Sequence, residues 1–275
     1  MCCALLFGCG VEKAQADAGA EPDTAVPNVA TGRVTMADGS PLTGDVADIA
    51  ISISGVSTAG ERVSYTPIVR NGRFRQRLAP GQYSFQRSTV TLRFEDKEYR
   101  LALVPVGNNW SKNQDAADGI VQDFIWKPTG RAETYGDTPD PNNHTHWHGM
   151  HAGMRFAGWR EDLNALAQRP PAGTKLTFTL TPLSKSIDGR TLQPIVFVRE
   201  WRTDAGTPND DLNDFPPANY DITGFAQLPD GTTKPIVFQG AGNYPNFVTR
   251  GKIPLTKDNI LGGGYWKQPF TWAVN

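Results

Sequence analysis

Four histidines fall in the stretch Asn143-His144-Thr145-His146-Trp147-His148-Gly149-Met150-His151, and the 275-residue chain has no others. Imidazole suits copper, zinc and nickel. In an extended strand, residues two apart share a face. His144, His146 and His148 would then form one row, which Met150 and Met154 continue, while His151 faces the other way. Neighbours on such a row sit about 7 Å apart, so two imidazoles can reach one ion. If Gly149 turns the segment into a loop, all four histidines can converge. A thioether from Met150 would tilt the preference towards Cu(I). The candidate metal set is therefore His144, His146, His148, His151 and Met150, for copper or zinc. The competing expectation is a polar strand or loop whose histidines face water while Trp147 and Met150 pack inward, because short His-rich tracts bind metal opportunistically. Asp137 and Asp140 are near enough in sequence to serve as acidic partners to the imidazoles.

The run His146-Trp147-His148-Gly149 resembles the copper motif of multicopper oxidases, which implies His146 and His148 as ligands. Those enzymes need further His-rich motifs and a cysteine ligand. This chain has no histidine left, and its three cysteines, Cys2, Cys3 and Cys9, all lie in the first nine residues. At most the tract is a self-contained mononuclear site. The cysteine distribution also excludes a disulfide-stapled fold and a thiolate zinc site in the body.

Other chemistries leave weaker traces. Ser184, Ser186 and Asp188 are close in sequence, but no G-x-S-x-G elbow is present. Glu161, Asp162, Asp210 and Asp211 read as solvated loop charges. There is no phosphate-binding or dinucleotide fingerprint. Acids and bases are interspersed and the net charge is −1, so nothing points to nucleic acid or a polybasic membrane face. Seven tryptophans offer flat rings for stacking on sugars, with Trp159 and Trp201, next to charged residues, as the surface candidates for carbohydrate binding. No catalytic set emerges, and a non-catalytic protein is the expectation.

The N-terminus suggests where such a protein works. Met1 to Cys9 is a short apolar run ending Leu6-Phe7-Gly8-Cys9, and it resembles the lipobox of bacterial lipoproteins. The resemblance implies cleavage before Cys9 and a lipid on that cysteine. No Lys or Arg precedes the run, unlike an ordinary signal peptide. Residues 10–29 are rich in Ala, Asp, Glu and Pro without periodicity and read as a flexible tether. No later stretch is apolar enough to span a bilayer. The expectation is an exported cell-envelope protein touching the membrane through its lipid anchor alone.

The body that carries the histidines reads as β-structure. Twenty-eight glycines and 21 prolines favour turns and short strands. Gly32–Met36, Ile49–Ser54, Val63–Val69 (interrupted by Pro67), Arg73–Leu78, Gln82–Gln86, Val90–Phe94 and Tyr99–Val104 read as strands, separated by turns such as Asp38-Gly39, Asn71-Gly72 and Pro80-Gly81. The order Gly-Arg-Val, Asp-Gly-Ser-Pro-Leu, Asn-Gly-Arg-Phe, Leu-Ala-Pro-Gly-Gln-Tyr resembles the carboxypeptidase regulatory-like, or transthyretin-like, β-sandwich. In that resemblance Phe74, Leu78 and Tyr83 point inward. It implies a non-catalytic module over residues 30–107.

Residues 108–119 read as a polar linker, and Ile120–Trp126 as the opening of a second sandwich over residues 120–275. Lys127–Asn143 is a long Pro- and Gly-rich loop that delivers the histidine tract. Trp159–Gln168 holds at most a short helix. Thr174–Thr181 and Pro194–Trp201 alternate as strands. Asp214–Ile222 echoes Arg77–Phe85, each with a Pro turn before a tyrosine-led strand, and Phe270–Val274 echoes Phe124–Trp126. The sequence thus predicts an all-β protein of two tandem antiparallel sandwiches. The partners it suggests are envelope proteins or glycans.

Overall fold

The computed structural model describes residues 24–107, 112–131, 147–156, 170–202, 211–239, 246–255 and 267–274. The fold is all-β, and its one helical element among these residues is a 3-10 turn at Ala116–Asp118. No helix among the described residues is long and apolar enough to cross a membrane. Cys9 and the short helix expected at Trp159–Gln168 lie outside the described residues.

The N-terminal half contains β1 (Val29–Met36), β2 (Asp45–Ala50), β3 (Ile53–Ser57), β4 (Arg62–Tyr65), β5 (Val69–Arg70), β6 (Arg73–Arg77) and β7 (Gly81–Phe85). It continues with β8 (Thr89–Phe94), β9 (Lys97–Ala102), β10 (Val104–Pro105), β11 (Gln114–Asp115), β12 (Ile120–Val121) and β13 (Phe124–Trp126). One sheet runs β10-β13-β1-β6-β5, with β12 also on β1; a second runs β11-β7-β3-β4; a third is β2-β8-β9. The first two face each other through an aromatic triangle. Phe85 on β7 lies 6.2 Å from Phe74 on β6 and 5.4 Å from Phe124 on β13, in edge-on contacts. That is sandwich packing, with apolar residues of alternating strands interleaved between sheets.

Two sequence strands divide. Ile49–Ser54 straddles β2 and β3, which belong to different sheets, and the chain crosses between them at Ile51-Ser52. Val63–Val69 likewise splits into β4 and β5 around the buried Pro67. Period-two alternation reports which face is buried but not the sheet to which a strand belongs. Residues 112–119 are also more than a linker. Gln114–Asp115 pairs with β7, and Ala116 is buried.

The stretch expected to open the second sandwich is built into the first. Ile120-Val121 and Phe124–Trp126 pair in parallel with β1. Parallel pairing was not expected, and it recurs. In the C-terminal half, β14 (Met150–Phe156) pairs in parallel with β21 (Lys267–Val274). In each half the Phe/Trp-bearing strand that ends it thus returns beside the strand that begins it. The remaining described strands there are β15 (Lys175–Pro182), β16 (Ile195–Glu200), β17 (Leu212–Phe215), β18 (Tyr220–Gln227), β19 (Thr233–Gln239) and β20 (Gly251–Ile253). They form one sheet, β16-β15-β18-β19-β21-β14-β17, with β20 on β18. Phe197 on β16 and Phe215 on β17 occupy opposite ends of that order, yet their rings are 6.4 Å apart. The sheet therefore curls until its ends meet, and Phe178, Trp201, Phe238 and Trp272 fill the inside.

The halves are joined. Their buried apolar residues form one continuous cluster. The Asn219 amide donates to both carboxylate oxygens of Glu95 at 2.8 Å and accepts from Leu255 N at 2.7 Å. The Tyr99 hydroxyl donates to Leu255 O. A Cβ on Gly44 would lie 2.8 Å from Ile187 O, so the backbones of the two halves are in contact there.

Candidate functional site

The described part of the histidine tract is a turn leading into a strand. Trp147 bridges to Arg131, His148 N donates to Gly130 O at 2.8 Å, and β14 begins at Met150. The organising group is Asp214 on β17. Its Oδ1 accepts from Gly130 N at 2.6 Å and from Gly149 N at 3.2 Å, tying the tract to the start of the preceding loop. Asp214 holds this position with a left-handed backbone, φ 64°. The pairing of β14 with β17 shifts register there, so Asn213 and Asp214 together oppose the single residue His151. This is a β-bulge, a device that re-aims side chains at a sheet rim. Gly149 is required, because a Cβ there would lie 2.8 Å from Asp214. Burial pushes the Asp214 carboxyl above its ordinary range, and the two glycine N–H groups work against that rise.

The strand separates the expected ligands. Met150 is in the apolar core with Ala152, Leu212 and Phe215. Backbone alternation puts His151 on the opposite side of β14, where it is 1% exposed and opposes the polar pair Asn213-Asp214. His148 stands outside the strand, which starts at Met150, so strand alternation does not set it in one row with Met150. Asp211 is buried in the same rim, contrary to its reading as a solvated loop charge. Among the described residues no group of three His, Cys, Asp or Glu side chains converges on one point. His144, His146, Asp137 and Asp140 lie outside the described residues.

The serine cluster is a turn. The Ser186 hydroxyl donates to the Asp188 carboxylate, Arg190 Nε pairs with the other Asp188 oxygen, and Ser186 N donates to Arg190 O at 2.9 Å. Ser184 Oγ donates to Lys185 O and accepts from Asn219 N. These hydroxyls fasten backbone in the contact region between the halves. Nearby, the buried Tyr220 hydroxyl donates to Pro216 O at 2.7 Å, the pattern of a tyrosine corner. Burial and the negative charge of Asp188 push its ionisation well upward.

The tryptophans also resolve. Trp126, Trp201 and Trp272 are core residues, and Trp201, expected at the surface, is 3% exposed and meets Trp272 edge-on at 5.7 Å. Its charged sequence neighbours do not lift it out, because β16 ends against the curled sheet. Trp110, Trp159 and Trp266 lie outside the described residues.

A concave site appears where the sequence showed none. A groove of about 760 Å³ lies between β2 and the segment Thr66–Arg73. Such a volume is in the range of ligand clefts. Leu42, Val46, Ile49 and Val69 give it apolar walls, and Arg33, Arg73 and Asp48 supply charge. Both β2 and β5 are terminal strands of their sheets. β2 also carries a bulge at Ala47, which has no partner between Leu92 and Thr91 of β8. Ile68, at the rim, is 61% exposed. The only sequence signal was Pro67, whose presence inside a strand pattern marks an edge. That two edges face one another depends on the sheet switches at Ile51-Ser52 and Pro67, which alternation does not record.

No protein-family model matches the chain, and no curated protein matches it. Among solved structures it is similar to a leucine-rich repeat protein from Bacteroides thetaiotaomicron, at 11% identity and a TM-score of 0.22 over 89% of this chain. The match covers 27% of that protein, so this chain spans about a quarter of its length. It is also similar to a candidate adhesin from Bacteroides ovatus, at 11% identity and a TM-score of 0.20, over 76% of this chain and 81% of the other. Likeness at those scores carries no argument about this chain's fold or function.

Proposed function

We propose that the protein is a non-catalytic binding module of the bacterial cell envelope, lipid-anchored at Cys9, which holds its ligand in the groove between β2 and β5. One observation carries the reading: two terminal strands line the same apolar cleft. A free strand edge offers unpaired N–H and C=O groups to an extended segment, and alternate side chains of that segment would fill the pockets at Leu42, Val46 and Ile49. The resemblance of residues 30–107 to carboxypeptidase regulatory-like modules agrees with binding without catalysis. The partners that suit it are envelope proteins and their extended segments, or glycans.

Random-peptide and glycan arrays probed with the full chain are expected to return ligands whose binding weakens about tenfold in Ile68→Asp, since an apolar rim contact is exchanged for a charge. Val196→Asp, an equally exposed change on the C-terminal half, is expected to leave them unaffected. Ligands that bind Ile68→Asp and wild type equally would overturn the groove assignment. The anchor is tested separately. Labelled palmitate fed to an expressing bacterium is expected to mark the wild-type protein and not Cys9→Ser. A wild-type protein that takes up no label and fractionates with the cytosol would refute the envelope location.

A further inference from the structure

The outer face of the first sheet collects arginines. Phe74 and Leu78 point into the core, so Arg73, Arg75 and Arg77 project in one exposed row along β6, about 7 Å apart. The hairpin Asn71-Gly72, with φ of 49° and 70°, sets Arg70 directly opposite Arg73. On the other side of β6, Arg33 of β1 is also directly opposite Arg73. Arg70, Arg73 and Arg33 thus stand side by side across three strands, and Arg75 and Arg77 extend the patch lengthwise.

Folding alone disfavours this arrangement. Like charges at directly opposed positions destabilise a sheet. Over the whole chain the charges balance, with 27 basic and 28 acidic residues, so the arginines are concentrated here rather than in general excess. Arg70, Arg73, Arg75 and Arg77 form no ion pair with a carboxylate among the described residues, whereas Arg93, Arg190 and Arg250 all do. The acid nearest in register, Asp123, already accepts a hydrogen bond from Arg33 N at 2.7 Å. Asp48 lies on the far wall of the groove.

We propose that this face binds a linear acidic polysaccharide, one that carries carboxylate groups along its length. A guanidinium grips a carboxylate through two parallel hydrogen bonds, and a row of guanidiniums at strand spacing repeats that grip along a polymer. The exposed charges run in file along β6, and Arg70 and Arg33 widen the patch at one end, an arrangement that suits a flexible single chain better than a rigid duplex. The inference rests on the N-terminal half being a binding module and names a partner for it. Arg33 and Arg73 also line the groove, whereas Arg70, Arg75 and Arg77 do not, so these three separate the face from the groove.

The test is biolayer interferometry of the full chain on immobilised polygalacturonate, with neutral dextran, phosphatidylglycerol vesicles and poly-dT as comparison surfaces. Wild type is expected to bind polygalacturonate in a salt-sensitive manner and to ignore dextran. Arg70→Gln/Arg75→Gln/Arg77→Gln is expected to weaken binding about tenfold, the sum of three exposed ion pairs. The corresponding triple Lys variant should fall between, because it keeps charge and loses the two-pronged geometry. Thermal melts establish that the variants fold. If the Gln variant does not, the Lys variant decides, and binding equal to wild type then counts against the two-pronged grip and refutes the proposal. Equal binding by a folded Gln variant, or tighter wild-type binding to vesicles or poly-dT than to polygalacturonate, also overturns it. Ile68→Ala, which trims the groove rim without placing a charge two residues from Arg70, is expected to bind polygalacturonate like wild type while weakening groove ligands, so a failed groove and a failed arginine face give different results.

Discussion

Gly32→Ala is expected to destabilise the protein by about 3 kcal/mol, as judged by urea titration, although it adds one methyl group to a strand. Gly32 sits in β1 where two other strands arrive in parallel. Ala30 and Thr31 pair with β12, Val34 to Met36 pair with β13, and between them the chain bows over Gly32. Gln122 N donates to Thr31 O at 2.9 Å, and Arg33 N is met by the Asp123 side chain. The Gln122 carbonyl fills the space above the glycine: a Cβ there would lie 1.8 Å from it and 2.7 Å from Phe74 Cε1. The obstacle is backbone, held by the Gln122 amide, which itself donates to Val106 O and Asp123 O. Relief requires at least one parallel pairing to open. The control is Gly39→Ala. Gly39 has a left-handed φ of 81° but open space around it, so the cost is that of the backbone alone, about 1 kcal/mol. Equal costs at the two positions would mean that β12 and β13 do not close over β1 in solution.

That crossing marks where the sequence stopped being legible. Alternation located the individual strands of residues 30–105, and turn residues such as Asn71-Gly72 marked the hairpin between β5 and β6. Both signals are local. The switches of sheet at Ile51-Ser52 and Pro67 leave the alternating pattern undisturbed. The parallel return of Phe124–Trp126 onto Val34–Met36 spans some 90 residues, and no short-range periodicity carries it. The apolar run Ile120–Trp126 looked like the beginning of something new because it follows polar residues. In physical terms it is the last strand of the first sheet, and its aromatic ring closes the triangle with Phe74 and Phe85.

The candidate sites divide in the same way. The histidine tract was visible because rare residues are dense there, yet which histidines share a side depended on where the strand begins. Asp214, which fixes that start, lies 65 residues away and has no motif around it. The arginine face was visible in part. Inward Phe74 and Leu78 already required Arg73, Arg75 and Arg77 to point outward. Arg33 joins them only through the pairing of β1 with β6, and a net charge of −1 concealed the patch by averaging over the whole surface.

Asp214 yields the second large expected effect, and two substitutions there separate its roles. Asp214→Ala is expected to cost about 3 kcal/mol. It leaves the Gly130 and Gly149 N–H groups without their acceptor and places an ordinary side chain at φ 64°. Asp214→Asn is expected to stay within about 1 kcal/mol of wild type at neutral pH. Both bonds go to Oδ1, which asparagine retains, and asparagine tolerates the left-handed backbone. The pH dependence has a definite sign. Because burial raises the folded-state ionisation of this carboxyl, the folded protein binds its proton more tightly than the unfolded chain does. Its contribution to stability is fully present below the unfolded value of about 3.9 and is lost as pH rises through the raised folded value. Wild type should therefore lose stability relative to Asp214→Asn on passing upward through that window. The opposite slope would mean that the two glycine N–H groups outweigh burial and hold the carboxylate charged. Amide exchange supplies the structural readout. Protection at Gly130 and Gly149 should vanish in the alanine variant and persist in the asparagine variant, because the oxygen at position 214, rather than its charge, holds the turn that carries His148 into β14.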